Sequence, residues 1–271
     1  MSSISKKVAI IGGGVAGLLA AATAADHGAK VLLFEKMDKV GLKMGITGKG
    51  RCNLTNSAPI MDFIAMTPGN GRFLFSAYKQ FNNMDLISLF HTWGLETKVE
   101  RGGRVFPAGD DAQEVRRLFM RLLHEKRVDV HLGEPALHIQ TKEGCVAGVV
   151  TDKGTYAADA VILATGGKSY PRTGSTGDGY RLAGELGHTV TKIRPALIPL
   201  VCEEAYCREL QGLSLKNVTL ALAAGGRRKS EAFGEMIFTH FGISGPIVLS
   251  QSDVVTLWLS QGYPVTGYID L

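Results

Sequence analysis

The sequence is poor in cysteine, and its few cysteines do not form a familiar metal or redox motif. The 271 residues include Cys52, Cys145, Cys202 and Cys207, and no two of them have the Cys-x-x-Cys spacing. This argues against a zinc knuckle and against a dithiol redox motif, so we expect no metal site. So few cysteines in a chain of this length favour a reducing compartment, and we expect a cytoplasmic protein.

Long apolar runs and long basic runs are also missing. No segment has the length and hydrophobicity of a transmembrane helix, so we expect no membrane partner. The stretch "VAIIGGGVAGLLAAATAA" resembles a signal peptide, but its three consecutive glycines and the strand-like segment after it favour a folded element. The net charge of +5, without a run of Lys or Arg, favours an anionic ligand and permits an RNA partner without requiring one.

The chain contains enough apolar residues for a sizeable core, and its first 35 residues have the pattern of a β-α-β unit. Hydrophobic residues make up 45% of the chain and charged residues 20%, which suits one large domain or two of ordinary size. Lys7–Ile11 predicts a strand, Val15–His27 a helix that ends before Gly28, and Ala29–Glu35 a second strand. Such units with short connections build parallel sheets.

The turn between the first strand and the helix carries Gly12-x-Gly14-x-x-Gly17, and Glu35 ends the second strand. Gly12 allows a tight turn, Gly14 lets the backbone approach a pyrophosphate at the helix N-terminus, and Gly17 permits close helix packing. Glu35 can accept hydrogen bonds from ribose hydroxyls, which favours FAD or NAD over the 2′-phosphate of NADP. A tight turn without a ligand is the alternative.

Later segments predict more helices and strands, and then a change of character. We expect helices at Phe73–Phe81, Met84–Trp93, Gln113–Lys126 and Gly179–Gly187, loops at Gly41–Asn56 and Arg101–Gly109, a meander of strands at Val128–Leu132, Ala136–Thr141 and Cys145–Thr151, and one further strand at Tyr156–Ala164. Prolines near Ile193 suggest a boundary between a first domain, 1–193, and a second, 194–271, in which short strands alternate with turns.

Two further motifs favour a flavin over a nicotinamide cofactor. "VILATGG", from Val161 to Gly167, is an apolar strand that breaks into glycines. In two-dinucleotide flavoproteins such a strand end passes beside bound FAD, and a meander before it replaces a crossover helix; a simple NAD dehydrogenase needs neither. An ordinary buried strand with a glycine turn is the alternative.

The loop "TGKGRCNLTN", from Thr47 to Asn56, concentrates polar chemistry. Gly48 and Gly50 allow close backbone approach, and Arg51 can offset phosphate charge or stabilise an anionic reduced flavin. Asn53 can donate and accept hydrogen bonds. We interpret Cys52 as a packing or flavin-contact residue in preference to a redox residue, because no resolving partner is visible. An unliganded surface turn is the alternative.

With these residues in view, the chain resembles the BaiN-like flavoproteins, also called aminoacetone oxidase-type FAD-binding oxidoreductases. The resemblance rests on "GGGVAG" with Glu35, "TGKGRCNLTN", "GGRVFP", "ATGGKSYPRTGSTGDGY", "PALIPL" and "FTHFGISGP", in the family's order. It implies an α/β fold: a Rossmann-like FAD-binding domain of the two-dinucleotide type, interrupted by an inserted β-barrel-like domain with its own helical insertion. It also implies that Arg51, Cys52 and Asn53 lie near the flavin.

The expected cofactor-binding residues come from these motifs. They are Gly12, Gly13, Gly14, Val15, Ala16, Gly17, Glu35, Lys36, Lys43, Gly48, Gly50, Arg51, Cys52, Asn53, Ala136, Ala164, Thr165, Gly166 and Gly167. The resemblance places Thr239 and His240 in the inserted domain. His240 and Cys52 are the candidates for catalysis, although a structural role for His240 fits equally well.

The leading hypothesis is an FAD-dependent oxidoreductase that passes hydride from NAD(P)H to a small molecule such as an enone or a carbonyl compound. The resemblance also allows amine oxidation or the reduction of uridine in ribosomal RNA. Family members run on past this length, and their C-terminal segment returns to the FAD domain. We therefore expect the chain to stop within the inserted domain, so that a catalytically incomplete FAD-binding fragment is a further alternative.

Overall fold

The computed structural model describes residues 5–67, 69–226 and 228–271, with the side chain of Arg228 excepted. Within it the chain forms two compact units, Met1–Val190 and Thr191–Leu271. The division falls near the domain boundary expected at Ile193, while the identity of the second unit as an inserted domain stays a prediction.

The first unit contains six α-helices and ten strands among its described residues. The helices are α1 (Val15–Asp26), α2 (Ile60–Met66), α3 (Phe75–Gln80), α4 (Asn83–Thr92), α5 (Ala112–Glu125) and α6 (Asp178–Glu185). The strands are β1 (Lys7–Ile11), β2 (Lys30–Glu35), β3 (Thr55–Asn56), β4 (Thr97–Val99), β5 (Arg104–Pro107), β6 (Asp129–Leu132), β7 (Ala136–Lys142), β8 (Cys145–Thr151), β9 (Thr155–Ala157) and β10 (Ala160–Leu163).

A parallel sheet with the order β10-β1-β2-β6 is the centre of this unit. In β1, Ile10 packs into the hydrophobic cluster that includes α1 and α5, whereas Ala9 and Ile11 pack into a second cluster with β7, β8 and α6. The sheet is therefore covered on both faces, which explains why its strands read as continuous apolar runs. The predicted β-α-β unit is confirmed. The helix, predicted to end at His27, ends at Asp26, and His27 is its C-cap residue.

The predicted meander is wrong in its first strand. Val128–Leu132 corresponds to β6, which pairs in parallel with β2 through Glu35 and Leu132. The meander consists instead of β7, β8 and β9. The predicted single strand at Tyr156–Ala164 is also wrong, because it is two strands in different sheets. At the break, the backbone N–H of Asp159 donates to Lys7, and the Asp159 carboxylate accepts the N–H of Lys7 at 2.7 Å.

Two segments expected as loops each contribute a strand to a small three-stranded sheet with the order β3-β5-β4. β5 lies within the predicted loop Arg101–Gly109, and β3 ends the predicted loop Gly41–Asn56. Val105 and Phe106 of β5 are buried, which gives this short strand its reason to pack. The helix predictions around residues 73–126 and 179–187 are confirmed to within a few residues at each end.

The second unit is a five-stranded antiparallel sheet with helices. It contains β11 (Leu200–Val201), α7 (Tyr206–Glu209), β12 (Ser214–Ala224), β13 (Arg228–Thr239), β14 (Gly242–Ser244), α8 (Pro246–Ser260) and β15 (Val265–Asp270), with the sheet order β11-β14-β13-β12-β15. The pattern of short strands and turns did not predict the helix at residues 246–260. There, α8 buries Val248, Val255 and Trp258 against the sheet.

No helix among the described residues combines the length and the apolar character needed to cross a lipid bilayer.

Candidate cofactor site

A cavity of about 840 Å³ opens in the first unit at the carboxyl ends of β1, β2 and β10. Ligands of open parallel sheets bind at this edge, and the volume is within the usual range for small-molecule sites. The cavity brings together most of the residues expected from the sequence. These are Gly12, Gly13, Gly14, Val15, Ala16, Glu35, Lys36, Lys43, Cys52, Asn53, Ala136, Ala164, Thr165 and Gly166.

Each glycine of the fingerprint has a different environment. Gly12 has φ of +110°, and a Cβ atom there would lie 2.5 Å from the carbonyl oxygen of Ala164. A Cβ atom on Gly17 would lie 1.8 Å from the carbonyl oxygen of Gly12, so Gly17 lets α1 pack on the turn. A Cβ atom on Gly14 would meet no protein atom within 4 Å. Gly14 therefore borders open space, whereas Gly12 and Gly17 are required by the fold itself.

The N-terminus of α1 faces this cavity without a side-chain cap. Gly14 is the N-cap residue, no side chain caps the helix, and its first turn has no acidic residue. Gly14, Val15 and Ala16 all line the cavity. The first amides of a helix lack partners within the helix and carry partial positive charge, so this terminus is suited to an anion such as a pyrophosphate.

Glu35 supplies a buried carboxylate to the same cavity. The side chain is 9% exposed. Its Oε2 accepts the backbone N–H of Gly13 at 2.7 Å, and its Oε1 accepts that of Met37 at 2.9 Å. Because a carboxylate has about four acceptor positions, both oxygens retain capacity for the hydroxyl groups of a ribose.

Basic side chains line the cavity, although several have partners. Lys36 donates to the carboxylate of Asp178 at 2.6 Å, and Lys43 donates to the carbonyl oxygen of Ser169 at 2.8 Å. Lys39 also lines the cavity, as does Arg181. Burial raises the pKa of Asp178, but the hydrogen bonds from Lys36 and Thr176 outweigh it and hold the pKa below its ordinary value. Basic groups around the cavity suit an anionic ligand.

Cys52 lines the cavity and is 2% exposed. Its backbone has φ of +63°, and its N–H donates to the carbonyl oxygen of Thr47 at 3.1 Å. Burial raises the pKa of the Cys52 thiol, with an opposing hydrogen bond involving Thr47. A thiol that stays protonated is a poor nucleophile, so this environment favours the contact role over the redox role.

Arg51 does not line the cavity. Its guanidinium group lies 2.8 Å from the carboxylate of Glu100 and 3.5 Å from that of Asp110. It also stacks over the ring of Phe106, 4.2 Å from the ring centroid. Gly48 packs against the same ring, since a Cβ atom there would lie 2.8 Å from it. These contacts fix the loop from the side of β5.

The remaining expected residues also lie outside the cavity lining. Gly17 packs within the fold, Gly50 borders open space, and Gly167 lies near the hydroxyl group of Tyr180. His240 is an exposed residue of the second unit, in the turn between β13 and β14, where its ring contacts Phe241 edge-on at 4.8 Å. Its catalytic role stays a prediction.

Sequence reasoning missed two groups of lining residues. The first is apolar and comes from three helices: Leu19, Leu86, Phe90 and Phe119. Apolar residues at helical spacing predicted these helices, but that pattern does not distinguish a cavity wall from a core. The second is the segment Thr173–Ser175, in which a Cβ atom on Gly174 would lie 3.6 Å from Glu35 Oε1. The turn-rich "TGSTGDGY" was the available signal for it.

Residues 6–255 match the sequence model of the family described as HI0933-like protein Rossmann domain. The chain belongs to this family. The HI0933-like proteins are FAD-dependent Rossmann proteins, so the expected resemblance and the expected α/β class with a Rossmann-like FAD-binding domain are confirmed.

Two curated relatives cover most of the chain. It is 34% identical to the 3-dehydro-bile acid delta(4,6)-reductase of Clostridium scindens, over 97% of this chain and 64% of the relative. It is 31% identical to the ribosomal RNA dihydrouridine synthase of Escherichia coli, over 90% of this chain and 59% of the relative. The chain thus spans less than two thirds of the length of either relative.

A solved structure shows the fold alone. Sdh1 of Mycobacterium smegmatis in complex with UQ1 is 21% identical over 68% of this chain and 38% of that chain, with a TM-score of 0.51.

Proposed function

We propose that the first unit binds FAD in its cavity and that the protein is an FAD-dependent oxidoreductase. One observation carries the proposal: the uncapped N-terminus of α1 and the buried carboxylate of Glu35 line the same cavity. An anion-binding terminus and a hydroxyl-binding carboxylate are the two halves of a dinucleotide site. Membership in an FAD-dependent family identifies the flavin dinucleotide as the one that fits.

The chain's own residues divide the work of holding this cofactor. Gly14, Val15 and Ala16 would present backbone amides to the pyrophosphate, and Glu35 would accept hydrogen bonds from the ribose. Cys52 and Asn53 would contact the flavin, as the family resemblance implies. The apolar walls from α1, α4 and α5 would exclude water from part of the cavity. Reducing conditions in the cytoplasm suit the four free cysteines.

The names of the two relatives point to one reaction type. A 3-keto bile acid with a conjugated double bond and uridine, the precursor of dihydrouridine, each contain a C=C bond polarised by a carbonyl group. Bound FAD supplies the means to pass a hydride from NAD(P)H to the electron-poor carbon of such a bond. We propose a small enone as the substrate class, because an apolar cavity wall suits a small apolar molecule.

Reduction of uridine in ribosomal RNA is the second candidate, and two observations favour it. One relative carries that activity in its name, and the net charge of +5 suits a polyanion. Binding of RNA by basic side chains should weaken steeply as the salt concentration rises. Turnover of a small enone, together with RNA binding that does not respond to salt, would reject this candidate.

The absorption spectrum of the purified 271-residue chain tests the cofactor. We expect a flavin spectrum, and free FAD in the supernatant after denaturation. If the protein is colourless and does not take up added FAD, cofactor binding by this chain is rejected. Bleaching of the spectrum by NADH or NADPH without air would then identify the reductant, and reoxidation by an enone would test turnover by a chain of this length.

A further inference from the structure

Two cysteines that lie apart in the sequence meet a carboxylate in the second unit. The thiol sulfurs of Cys202 and Cys207 and a carboxylate oxygen of Glu204 all lie within 4.8 Å of one another. Cys202 directly follows β11, and Cys207 lies in α7. The spacing is Cys-x4-Cys, which is one of the spacings found between zinc ligands although it is not Cys-x-x-Cys.

The backbone holds the two thiols in place. The N–H of Cys202 donates to the carbonyl oxygen of Phe241 at 3.1 Å, and the N–H of Cys207 donates to that of Glu204 at 3.2 Å. Cys207 is 3% exposed and packs in the hydrophobic cluster of this unit. Glu204 is exposed, so its carboxylate can move toward an ion without disturbing the core. The site is therefore fixed on the sulfur side and open on the solvent side.

We propose that Cys202, Glu204 and Cys207 bind one thiophilic divalent cation of the zinc type, with water in the remaining position. Two sulfur ligands and one carboxylate are a donor set that Zn²⁺ accepts in tetrahedral geometry. Hard cations such as Mg²⁺ and Ca²⁺ are disfavoured, because they take oxygen ligands. The expectation of no metal site rested on the Cys-x-x-Cys spacing and did not consider contact across a turn.

Binding must release protons, which gives the site a pH dependence. Thiols bind such an ion as thiolates, so each bound cysteine must first lose its proton. The ion would replace the thiol protons, which pass to solvent, and no electron is transferred. The groups that face Cys202 include Cys207, Glu204, Tyr206 and the backbone of Ile243. Apparent affinity should therefore rise with pH.

Titration of the reduced protein with Co²⁺ tests the site, with Co²⁺ as a coloured substitute for Zn²⁺. We expect thiolate-to-cobalt charge-transfer absorption, measured as a difference from the metal-free protein so that any flavin absorption cancels. It should saturate at about one ion per chain and disappear when Zn²⁺ is added. The thermal unfolding midpoint should also rise with Zn²⁺ concentration.

Variants separate ligands from neighbours. Cys202→Ser should abolish the charge-transfer band, and Glu204→Gln should weaken Co²⁺ binding by at least about tenfold, the lower end of the loss when even an outer-sphere partner is removed. Glu203→Gln and Cys145→Ser are the matched controls and should behave as the wild type. Circular dichroism verifies folding, and Glu204→Gln keeps the test valid if a cysteine variant unfolds.

Three results would overturn the proposal. The first is no charge-transfer band in the reduced protein. The second is equal loss of Co²⁺ binding in Glu204→Gln and Glu203→Gln. The third is a Cys202→Ser variant that retains the charge-transfer band of the wild type, which would exclude the Cys202 thiol as a ligand. None of these results depends on FAD binding in the first unit.

Discussion

At Gly14, the effect of a substitution on cofactor binding can be separated from its effect on folding. A Cβ atom there meets no protein atom within 4 Å. Gly14→Ala should therefore leave the thermal unfolding midpoint close to that of the wild type. It should nevertheless abolish FAD retention, because the methyl group would occupy the space where the pyrophosphate approaches the helix terminus. FAD content after gel filtration, read from the absorption spectrum, measures this.

Gly154→Ala is the matched control for Gly14→Ala. A Cβ atom on Gly154 is equally free of protein contacts, and Gly154 does not line the cavity. This variant should retain FAD. Gly17→Ala should instead destabilise the protein, since its Cβ atom would lie 1.8 Å from a carbonyl oxygen. Full retention of FAD by Gly14→Ala would place the pyrophosphate elsewhere.

The carboxylate of Glu35 has two roles: it accepts backbone hydrogen bonds within the fold, and we propose that it binds the ribose of FAD. Glu35→Gln keeps one acceptor oxygen for the two backbone amides, from Gly13 and Met37, but loses the charge. We expect FAD to bind more weakly by about 1.5–3 kcal/mol, the value of a hydrogen bond to a charged group. The dissociation constant, from quenching of flavin fluorescence, measures the change.

Glu134→Gln is the control for the Glu35 variant. Glu134 is also buried, at 2% exposure, but it does not line the cavity. Its variant should bind FAD with nearly wild-type affinity. If Glu35→Gln lowers stability but leaves the dissociation constant unchanged, the ribose does not use this carboxylate.

At the scale of elements, the loop after the Rossmann unit is held by Arg51. Four residues of this loop have left-handed backbone conformations: Gly48, Lys49, Gly50 and Cys52. Gly48, Lys49 and Gly50 do not line the cavity, whereas Cys52 and Asn53 of the same loop do. Arg51 contacts Glu100 and Phe106, so we infer that it positions the loop. The alternative, expected from the sequence, is that Arg51 contacts the phosphate or the flavin directly.

A double-mutant cycle with Arg51→Lys and Glu100→Gln separates these two roles. If Arg51 positions the loop through Glu100, both single variants should weaken FAD binding, and the double variant should be no worse than either, with a coupling of about 1 kcal/mol. If Arg51 contacts the cofactor directly, Glu100→Gln should leave the dissociation constant unchanged. Arg121→Lys is the control, because this guanidinium group pairs with Glu125 and does not contact Glu100 or line the cavity.

Local signals predicted the elements whose constraints are local. The β-α-β unit was predictable because Gly17 and Gly28 meet local requirements: a Cβ atom on Gly17 would lie 1.8 Å from the carbonyl oxygen of Gly12, and Gly28 has φ of +80°. Partnership between distant strands was not predictable. β6 follows a helix and precedes a hairpin, and nothing in its four residues shows that it pairs with β2. Within the apolar run Tyr156–Ala164, the charged Asp159 was the one visible sign of a break.

The candidate site follows the same division. The glycines of the fingerprint, Glu35, Lys36 and Lys43 were predictable, because few structural roles require glycine, carboxylate and lysine at those spacings, whereas Lys39, Arg181 and Thr173–Ser175 were not predicted. The apolar wall was not predictable. Phe90 and Phe119 pack edge to face with their ring centroids 6.1 Å apart, an arrangement that is also typical of core residues. The Cys202–Cys207 contact was missed for a third reason. A turn brings the two thiols together, and their spacing alone does not show it.

At the scale of the whole molecule, the first unit should lose stability in acid. Burial raises the pKa of Glu134, but hydrogen bonds from Thr151, Tyr156 and His131 outweigh it and hold the pKa below its ordinary 4.5. The hydrogen bond from Lys98 likewise holds the pKa of Asp110 below 3.8. A depressed pKa contributes stability that is complete above the unfolded value and is lost as the pH falls through the folded value.

Near neutral pH these groups contribute their full stabilisation and make the unfolding midpoint of the first unit independent of pH, and the midpoint should fall as the pH drops below about 4.5. Trp93 reports on this unit once Trp258→Phe has removed the tryptophan of the second unit. In that background Glu134→Gln should lower the midpoint at pH 7 and flatten the acid slope, by at most about 1.4 kcal/mol per pH unit, because one proton fewer is taken up on unfolding. An acid slope equal to that of the parent would mean that Glu134 is not the group that titrates, and that the stability lost in acid comes from the half-exposed pairs such as Lys36 with Asp178.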